Sequence, residues 1–480
     1  MNTEIPSSET GLLPSRPGKN NPGLWRELWG DKTFFVSLLH LAVPIALQNL
    51  LINSLSFADT LMIGRLGETS IAAVGLGNQV FFLYSLFLFG IGSGSGIFVA
   101  QFWGKKDIVN IRKTQGICLS LCFFIGIVFS LLSGLMPERL LGVFSRDPEV
   151  IRLGSIYLRI VAPGYLFTSV NFSYSIVLRN VEKPRLPLIC TAISLGCNII
   201  LNYLLIFGIG PFPTLGVAGA AWGTVISRAV EITAMLLFVY RPWRSSSPLP
   251  PAAKPRELFS YTGKFLFRYF TIALPVILNE IVWGTGMTMF KVVYGRVGTD
   301  ALATMNISET VTNLFFILFL GSGNAAAAMI GKTIGQGEKE KTYRYGRRFL
   351  ILSPLIGLGV GAVIALISNV VVRLFNVGPQ VSLDAGAAMR NFALFLPAKA
   401  VNMHLIVGIF RSGGDTKFGL LYDVLGLWCI AIPLAFMAGL WWRLPVPWIY
   451  FLSLTEEFFK LFLGIPRFLS KKWINDVTGN

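Results

Sequence analysis

Residues 41–67, LAVPIALQNLLINSLSFADTLMIGRLG, align without a gap on residues 272–298, IALPVILNEIVWGTGMTMFKVVYGRVG. Pro44 falls on Pro275, Gly64 on Gly295, Arg65 on Arg296 and Gly67 on Gly298. The same offset places Gly90 and Gly92 on Gly321 and Gly323, and Gly104 on Gly335. Farther on, LRNVEKPRLPL at 178–188 parallels FRSGGDTKFGL at 410–420. Each copy of the opening stretch is long and apolar enough to cross a bilayer, which takes about 20 residues. The chain therefore reads as a duplicated set of membrane helices.

Scanning outward finds twelve such spans, near 35–62, 71–98, 114–136, 155–177, 188–209, 217–240, 268–290, 302–326, 349–370, 387–409, 419–440 and 446–465. Residues 241–265 break the pattern with Pro, Ser and basic residues and read as a linker between halves. The expected organisation is a tail at 1–33, a six-helix lobe at 34–240, the linker, a second six-helix lobe at 266–466 and a tail at 467–480. Six is an even number, so both lobes insert with the same orientation. A pseudo-two-fold axis along the membrane normal, with a pathway between the lobes, is the expectation. The fold class is all-α.

Composition excludes a soluble enzyme. The 480 residues are 53% hydrophobic and 14% charged, against about 25% charged in a typical soluble domain. The net charge of +17 invites a nucleic-acid reading, but the basic residues lie between spans. With the N-terminus inside, 28 Lys and Arg fall on the cytoplasmic side and 7 opposite, which predicts cytoplasmic termini in the cell membrane. Trp25 and Trp29 admit either a short interfacial helix or a plain tail. The five cysteines lie in apolar segments, and His40 and His404 have no ligand-spaced partners, so neither a disulfide framework nor a metal site follows. Gly331-Lys332-Thr333 lacks the glycine that a phosphate loop needs at 326, where Ala326 stands, so no ATP is expected.

The order P-x(15)-D-x(4)-GRLG, AAVGLGNQV, G-x-G-x-G, NIILNYLLIFG and GVAGAAWGTVISR, with GRVGTDALA, GQGEKEK and FRSGGDTK in the second half, resembles the multidrug and toxic compound extrusion (MATE) family. The similarity covers about residues 34–473. It implies twelve helices in two lobes that export organic cations in exchange for Na⁺ or H⁺, with no cofactor.

An ionisable residue inside a span is costly and marks function by default. Asp59 leads. Its carboxylate can hold a cation or take a proton, and it shares one helix face with Pro44, Gln48 and Leu55. Asn198 and Asn202, spaced i,i+4, share a face of span 5 and supply neutral oxygens. Thr224 adds a hydroxyl. The resemblance places Asp59, Asn198, Asn202 and Thr224 at the family's N-lobe cation site, although many members carry Asp where this chain has Asn202. One carboxylate instead of two favours a proton over Na⁺. Pro44 can bend span 1, either in response to Asp59, as the family suggests, or as a static kink.

In the second half, Glu280, Glu309 and Lys399 are buried charges, with Glu280 and Lys399 read as an intramembrane pair. Glu456 and Lys460, spaced i,i+4, read as a helix-surface pair. Gln48, Phe167, Tyr174, Met287 and Met305 are the expected surfaces of a substrate cavity between the lobes. The expected function is a monomeric ion-coupled antiporter for amphipathic organic cations. The alternatives are a flippase for lipid-linked precursors, which calls for a more basic cavity, and a membrane-embedded enzyme, for which no convergent His, Asp and Ser groups appear.

Overall fold

The computed structural model describes residues 31–240, 249–375 and 377–479. Most of the N-terminal tail, including Trp25 and Trp29, and residues 241–248 of the linker lie outside the described residues. The described chain is helical throughout, with no strands. The long helices are α1 (Lys32–Gly64), α2 (Glu68–Gly104), α3 (Ile108–Leu135), α4 (Pro148–Asn180), α5 (Arg185–Phe207), α6 (Val217–Tyr240), α7 (Gly263–Val297), α8 (Thr299–Gly335), α9 (Lys339–Val372), α10 (Pro379–Arg411) and α11 (Thr416–Trp441). These eleven are each long and apolar enough to cross a membrane. The expected twelfth span is instead two shorter helices, α12 (Val446–Leu454) and α13 (Glu456–Leu469), separated by Thr455. The break falls where Glu456, Glu457 and Lys460 turn into the protein, each under one-tenth exposed.

Local chemistry sets the helix ends. Asp31 caps α1 by accepting from the Phe34 N–H, Asp107 caps α3 through Asn110, and Asp147 caps α4 through Glu149 and Val150. Gly67 and Gly298, equivalent in the repeat, start α2 and α8 at φ +105° and +151°, which an L side chain rarely adopts. Pro44 and Pro275 lie inside α1 and α7 at matching positions, each removing one ladder hydrogen bond. Segments of α10 and α11 (His404–Arg411, Leu427–Ala431 and Met437–Trp441) widen to π-helix.

The two halves form two lobes, and the contacts between them repeat about a two-fold. α1 packs on α8, and its equivalent α7 packs on α2. A Cβ on Gly90 would lie 2.7 Å from the Ile277 Cα, while one on the equivalent Gly321 would lie 2.8 Å from the Cβ of Ala46, the equivalent of Ile277. Gly104 lies against the Lys332 carbonyl, and Gly335 against the carbonyl of Gln101, the residue equivalent to Lys332. Each residue thus meets its partner's counterpart, as an axis between the lobes requires.

The second halves of α2 and α8 lead into the basic stretches 105–113 and 332–348, which are short turns with the flanking helix ends, and this basic end is where the lobes are fastened. Lys332 pairs with Glu182 at 2.8 Å, Gln101 donates to the Ser412 and Asn475 carbonyls, and Lys105 pairs with Asp476 at 2.8 Å. Away from the lobe contacts, Phe57, Phe267, Leu366 and Phe462 stand mostly exposed, an apolar exterior suited to hydrocarbon.

Candidate functional site

The polar centre of the first lobe is assembled from α1, α5 and α6. Asp59 lies on the last third of α1, half-buried. The i,i+4 spacing brings Asn198 and Asn202 to one face of α5, and both are fully buried. The Asn202 side-chain nitrogen donates to Asp59 Oδ1 at 2.5 Å and to Asn198 Oδ1 at 3.0 Å. Thr224 lines the same pocket as Asp59, together with Tyr157, Asn78, Thr168 and Arg228. Its hydroxyl donates to the Ala220 carbonyl at 3.0 Å, which leaves its oxygen lone pairs for a cation. Asn202 Oδ1 and Asn198 Nδ2 are buried without a hydrogen-bond partner. A buried unpaired oxygen beside a carboxylate fits a proton donor or a small hard cation.

The sequence reading missed what lies behind this pocket. Arg228 donates to Glu231 Oε2 at 2.9 Å, and Thr191 donates to Glu231 Oε1 at 2.9 Å. Gln48 donates to the Thr191 hydroxyl at 3.1 Å and accepts from Arg179 at 2.7 and 3.2 Å. An unbroken polar chain therefore runs from Arg228, in the Asp59 pocket, to Gln48, one turn beyond Pro44. Its signal was present in the sequence, because Arg228 and Glu231 are two charges spaced i,i+3 inside a span.

Several expectations are corrected. Gln48, Tyr174 and Met305, expected on the cavity surface, are 3%, 3% and 2% exposed, held inside the lobes. Gln48 is committed to Thr191 and Arg179, and Tyr174 bonds Tyr240 at 2.9 Å. Met305 packs with Tyr294 and Val293. Phe167 packs half-buried beside Tyr174, and Met287 against Leu427. Glu280 and Lys399 do not pair. Glu280 accepts from Arg411 at 2.6 Å, and Lys399 reaches Glu457 at 2.8 Å. Glu309 lies half-buried on α8. Glu456 and Lys460 are no surface pair; both are buried, with Lys460 3.4 Å from Glu456 and 3.2 Å from Asp423. Arg179 and Arg411, two of the 28 basic residues assigned to the cytoplasmic side, are buried at helix ends.

Comparison with known proteins matches the MatE family model over residues 44–204 and again over 275–437, once per lobe. The chain is 27% identical over 437 residues to "Probable multidrug resistance protein NorM" of Thermotoga maritima, covering 91% of this chain and 92% of the relative. It is 25% identical to "Multidrug and toxin extrusion protein 1" of Xenopus tropicalis over 85% of this chain and 69% of that protein. A solved structure described as the outward-facing conformation of a multidrug resistance MATE family transporter of the MOP superfamily superposes with a TM-score of 0.82. It is 20% identical, and the match covers 93% of this chain and 98% of that one. With the family pattern matched in both halves of a two-lobe helical bundle, the chain belongs to the MatE family of multi-pass membrane transporters and is not an enzyme.

Proposed function

We propose that this protein is a monomeric antiporter of the cell membrane that exports amphipathic organic cations in exchange for H⁺ or Na⁺, with Asp59 as the coupling carboxylate. Asp59, Asn198, Asn202 and Thr224 hold the ion, and Pro44 is the bending point. The observation that carries the reading is the Asp59–Asn202 bond inside a pocket that also holds Arg228.

Charge supplies the exchange. With Asp59 ionised, its charge opposes that of Arg228, and the pocket tolerates an organic cation. When a proton or Na⁺ takes Asp59, its attraction for the organic cation is lost, and Glu231 alone faces the two cations Arg228 and Arg179, a net positive charge that repels the organic cation. Two unit charges about 8 Å apart interact by on the order of 2 kcal/mol at an effective dielectric constant of about 20. That is roughly a thirtyfold effect on affinity.

The two unpaired amide atoms add a switch. Ionised Asp59 accepts from the Asn202 amino group. A protonated Asp59 donates instead, and rotation of both amides turns Asn202 Oδ1 toward it, with Asn198 Nδ2 donating to that same oxygen. Arg228, bonded to Glu231, links the pocket through Thr191 to Gln48, so a change of charge at Asp59 reaches α1 beside Pro44. A coupling ion drives transport only through such a difference between states. Lysine and arginine counts put the basic end in the cytoplasm and both termini inside. In that orientation the fastened end of the lobes faces inward.

The test is efflux of a fluorescent organic cation from everted vesicles, wild type against Asp59→Asn, under separate Na⁺ and pH gradients. Loss of gradient-driven export in the variant is expected. Export at the wild-type rate under both gradients would refute the assignment, and a wild type that moves no organic cation would point to the lipid-precursor flippase.

A further inference from the structure

The duplication gives the two lobes a pair of equivalent seams at the basic end, and the chain closes them by different means. In the repeat, Lys332 corresponds to Gln101, and Val181 and Glu182 correspond to Gly413 and Gly414. In the first seam a side chain reaches across: Glu182 accepts from Lys332 at 2.8 Å and from Trp103 at 3.0 Å. A cavity of about 420 Å³ stays open beside it, lined by Leu41, Trp103, Val181 and Lys332 among others. In the second seam a glycine stands at the place of Glu182, and no side chain can span the gap. Residues 470–479, which follow α13, lie there instead.

This segment is anchored on one lobe and docked on the other. Trp473 is fully buried in the second lobe, stacked on Phe468 and donating to the Phe468 carbonyl at 3.0 Å. Gly413 lies against the Trp473 carbonyl and Gly414 against the Val477 side chain, so a β-carbon at either glycine would occupy the segment's place. Val477 joins Phe98, Phe102 and Tyr269 in an apolar cluster on the first lobe's side. The fully buried Gln101 holds the crossing. Its side-chain nitrogen donates to the Ser412 and Asn475 carbonyls at 2.9 and 3.1 Å, and its oxygen accepts from the Val477 N–H at 2.9 Å. Lys105 and Asp476, paired at 2.8 Å, close the outer edge. The last helix ends at Leu469, so the docked part can leave without breaking any helical ladder. Its hydrogen bonds would be exchanged for bonds to water, each at a modest net cost.

We propose that residues 470–479 form a latch that holds the basic end of the two lobes closed and leaves its seat each time that end opens during transport. Trp473 is the fixed anchor, Asp476 and Val477 are the part that undocks, and Gln101 with Gly413 and Gly414 forms the seat. The first seam, fastened by a partly exposed ion pair, yields more readily, because such pairs contribute little. The latch rests on the two lobes opening alternately at either end, as rocking transporters do. It is independent of Asp59, of the coupling ion and of the cargo.

The test uses the full chain in nanodiscs with Cys197→Ser and Cys429→Ser, which remove the native thiols that are not fully buried. Lys105→Cys and Asp476→Cys are then joined by a short, reducible bifunctional thiol reagent. Hydrogen exchange over residues 98–107 reads opening of the basic end and needs no cargo. Joining is expected to slow that exchange at least tenfold, and reduction to restore it. Gly413→Ala, which fills the seat, is expected to speed it at least tenfold in the unjoined protein. In proteoliposomes, efflux of a fluorescent organic cation is expected to fall at least tenfold on joining and to recover on reduction, with each single-cysteine variant unaffected by the reagent. A fixed brace would let the joined protein export at the unjoined rate. That result, or exchange indifferent to both joining and Gly413→Ala, would overturn the proposal.

Discussion

Asn202 donates to Asp59 at 2.5 Å while its own buried carbonyl oxygen receives nothing, so the pocket reads the charge of Asp59 with one half of an amide and leaves the other half waiting. Replacing that amide by a second carboxylate removes the neutral donor and puts two acids within hydrogen-bond distance. They cannot both remain ionised without a shared cation. Asn202→Asp should therefore strengthen the response to Na⁺. At least threefold greater stimulation of cation efflux by Na⁺ than in wild type is expected from initial rates in vesicles. An unchanged Na⁺ response would contradict the role given to the amide.

Arg228 supplies the repulsion in the exchange described above. Arg228→Met keeps the stem and deletes the charge. Wild-type affinity for a fluorescent organic cation should fall on the order of thirtyfold between pH 8 and pH 5, for an interaction of about 2 kcal/mol. In Arg228→Met binding should tighten on the order of thirtyfold at both ends of that range, while the fall, which follows the charge of Asp59, persists. Equilibrium binding by fluorescence anisotropy checks it, and unchanged affinity at both ends would remove Arg228 from the mechanism.

Eleven of the twelve expected spans and the duplication were legible because each depends on local signals, namely length, hydropathy and repeated Pro, Gly and Arg spacing. The shared face of Asn198 and Asn202 was legible for a related reason, since i,i+4 spacing fixes it before any tertiary contact is known, whereas their grouping with Asp59 was what the family resemblance implied. Partners across helices were not. Glu280 was visible as a buried charge, but its partner Arg411 sits at a helix end where a sequence window assigns it to a loop. Glu456 and Lys460 satisfied a surface rule on their own helix, and only packing against Asp423 shows them to be interior. The partners of Gln48 were hidden for the same reason: hydropathy says that Gln48 is in a span, not which neighbours it meets.

The choice between Arg411 and Lys399 as the partner of Glu280 can be measured. Removing one member of a buried pair leaves an uncompensated charge, at a cost of about 3–5 kcal/mol. Glu280→Gln should destabilise by about that amount, and Arg411→Met should recover much of it in the double variant. Glu280→Gln and Lys399→Met should instead add to within about 0.5 kcal/mol, as separate sites do. Denaturation in a single detergent compares all the variants, and coupling between Glu280 and Lys399 would reverse the pairing.

The fastened basic end rests on backbone approach at Gly104 and Gly335, where a side chain has no room. Gly104→Ala and Gly335→Ala should each cost about 1–3 kcal/mol through forced separation of α2 and α8. Since both act on one interface, the double variant should cost less than their sum. Melting temperatures of the three variants test this, and strict additivity would mean that the two crossings yield independently.

Asp31 gives a prediction outside the membrane helices. It caps α1 and also ties that helix to α9 of the other lobe through Arg348 at 2.6 Å. Its carboxyl is held down to about 2, foremost by the Thr33 hydroxyl, against the opposing effect of partial burial, with further help from Arg348 and the Phe34 N–H. A carboxyl whose folded value lies below its unfolded value of 3.8 contributes stability that is complete above that value. The contribution fades as acid titrates the folded group toward about 2. Asp31→Ala should lower stability by about 1 kcal/mol at neutral pH, the ordinary worth of a helix cap. The gap to wild type should hold from pH 7 down to about 4 and close between there and about 2. Detergent-solubilised denaturation midpoints across that range decide it, and a gap that persists undiminished at the acid end would mean that the carboxylate charge contributes nothing.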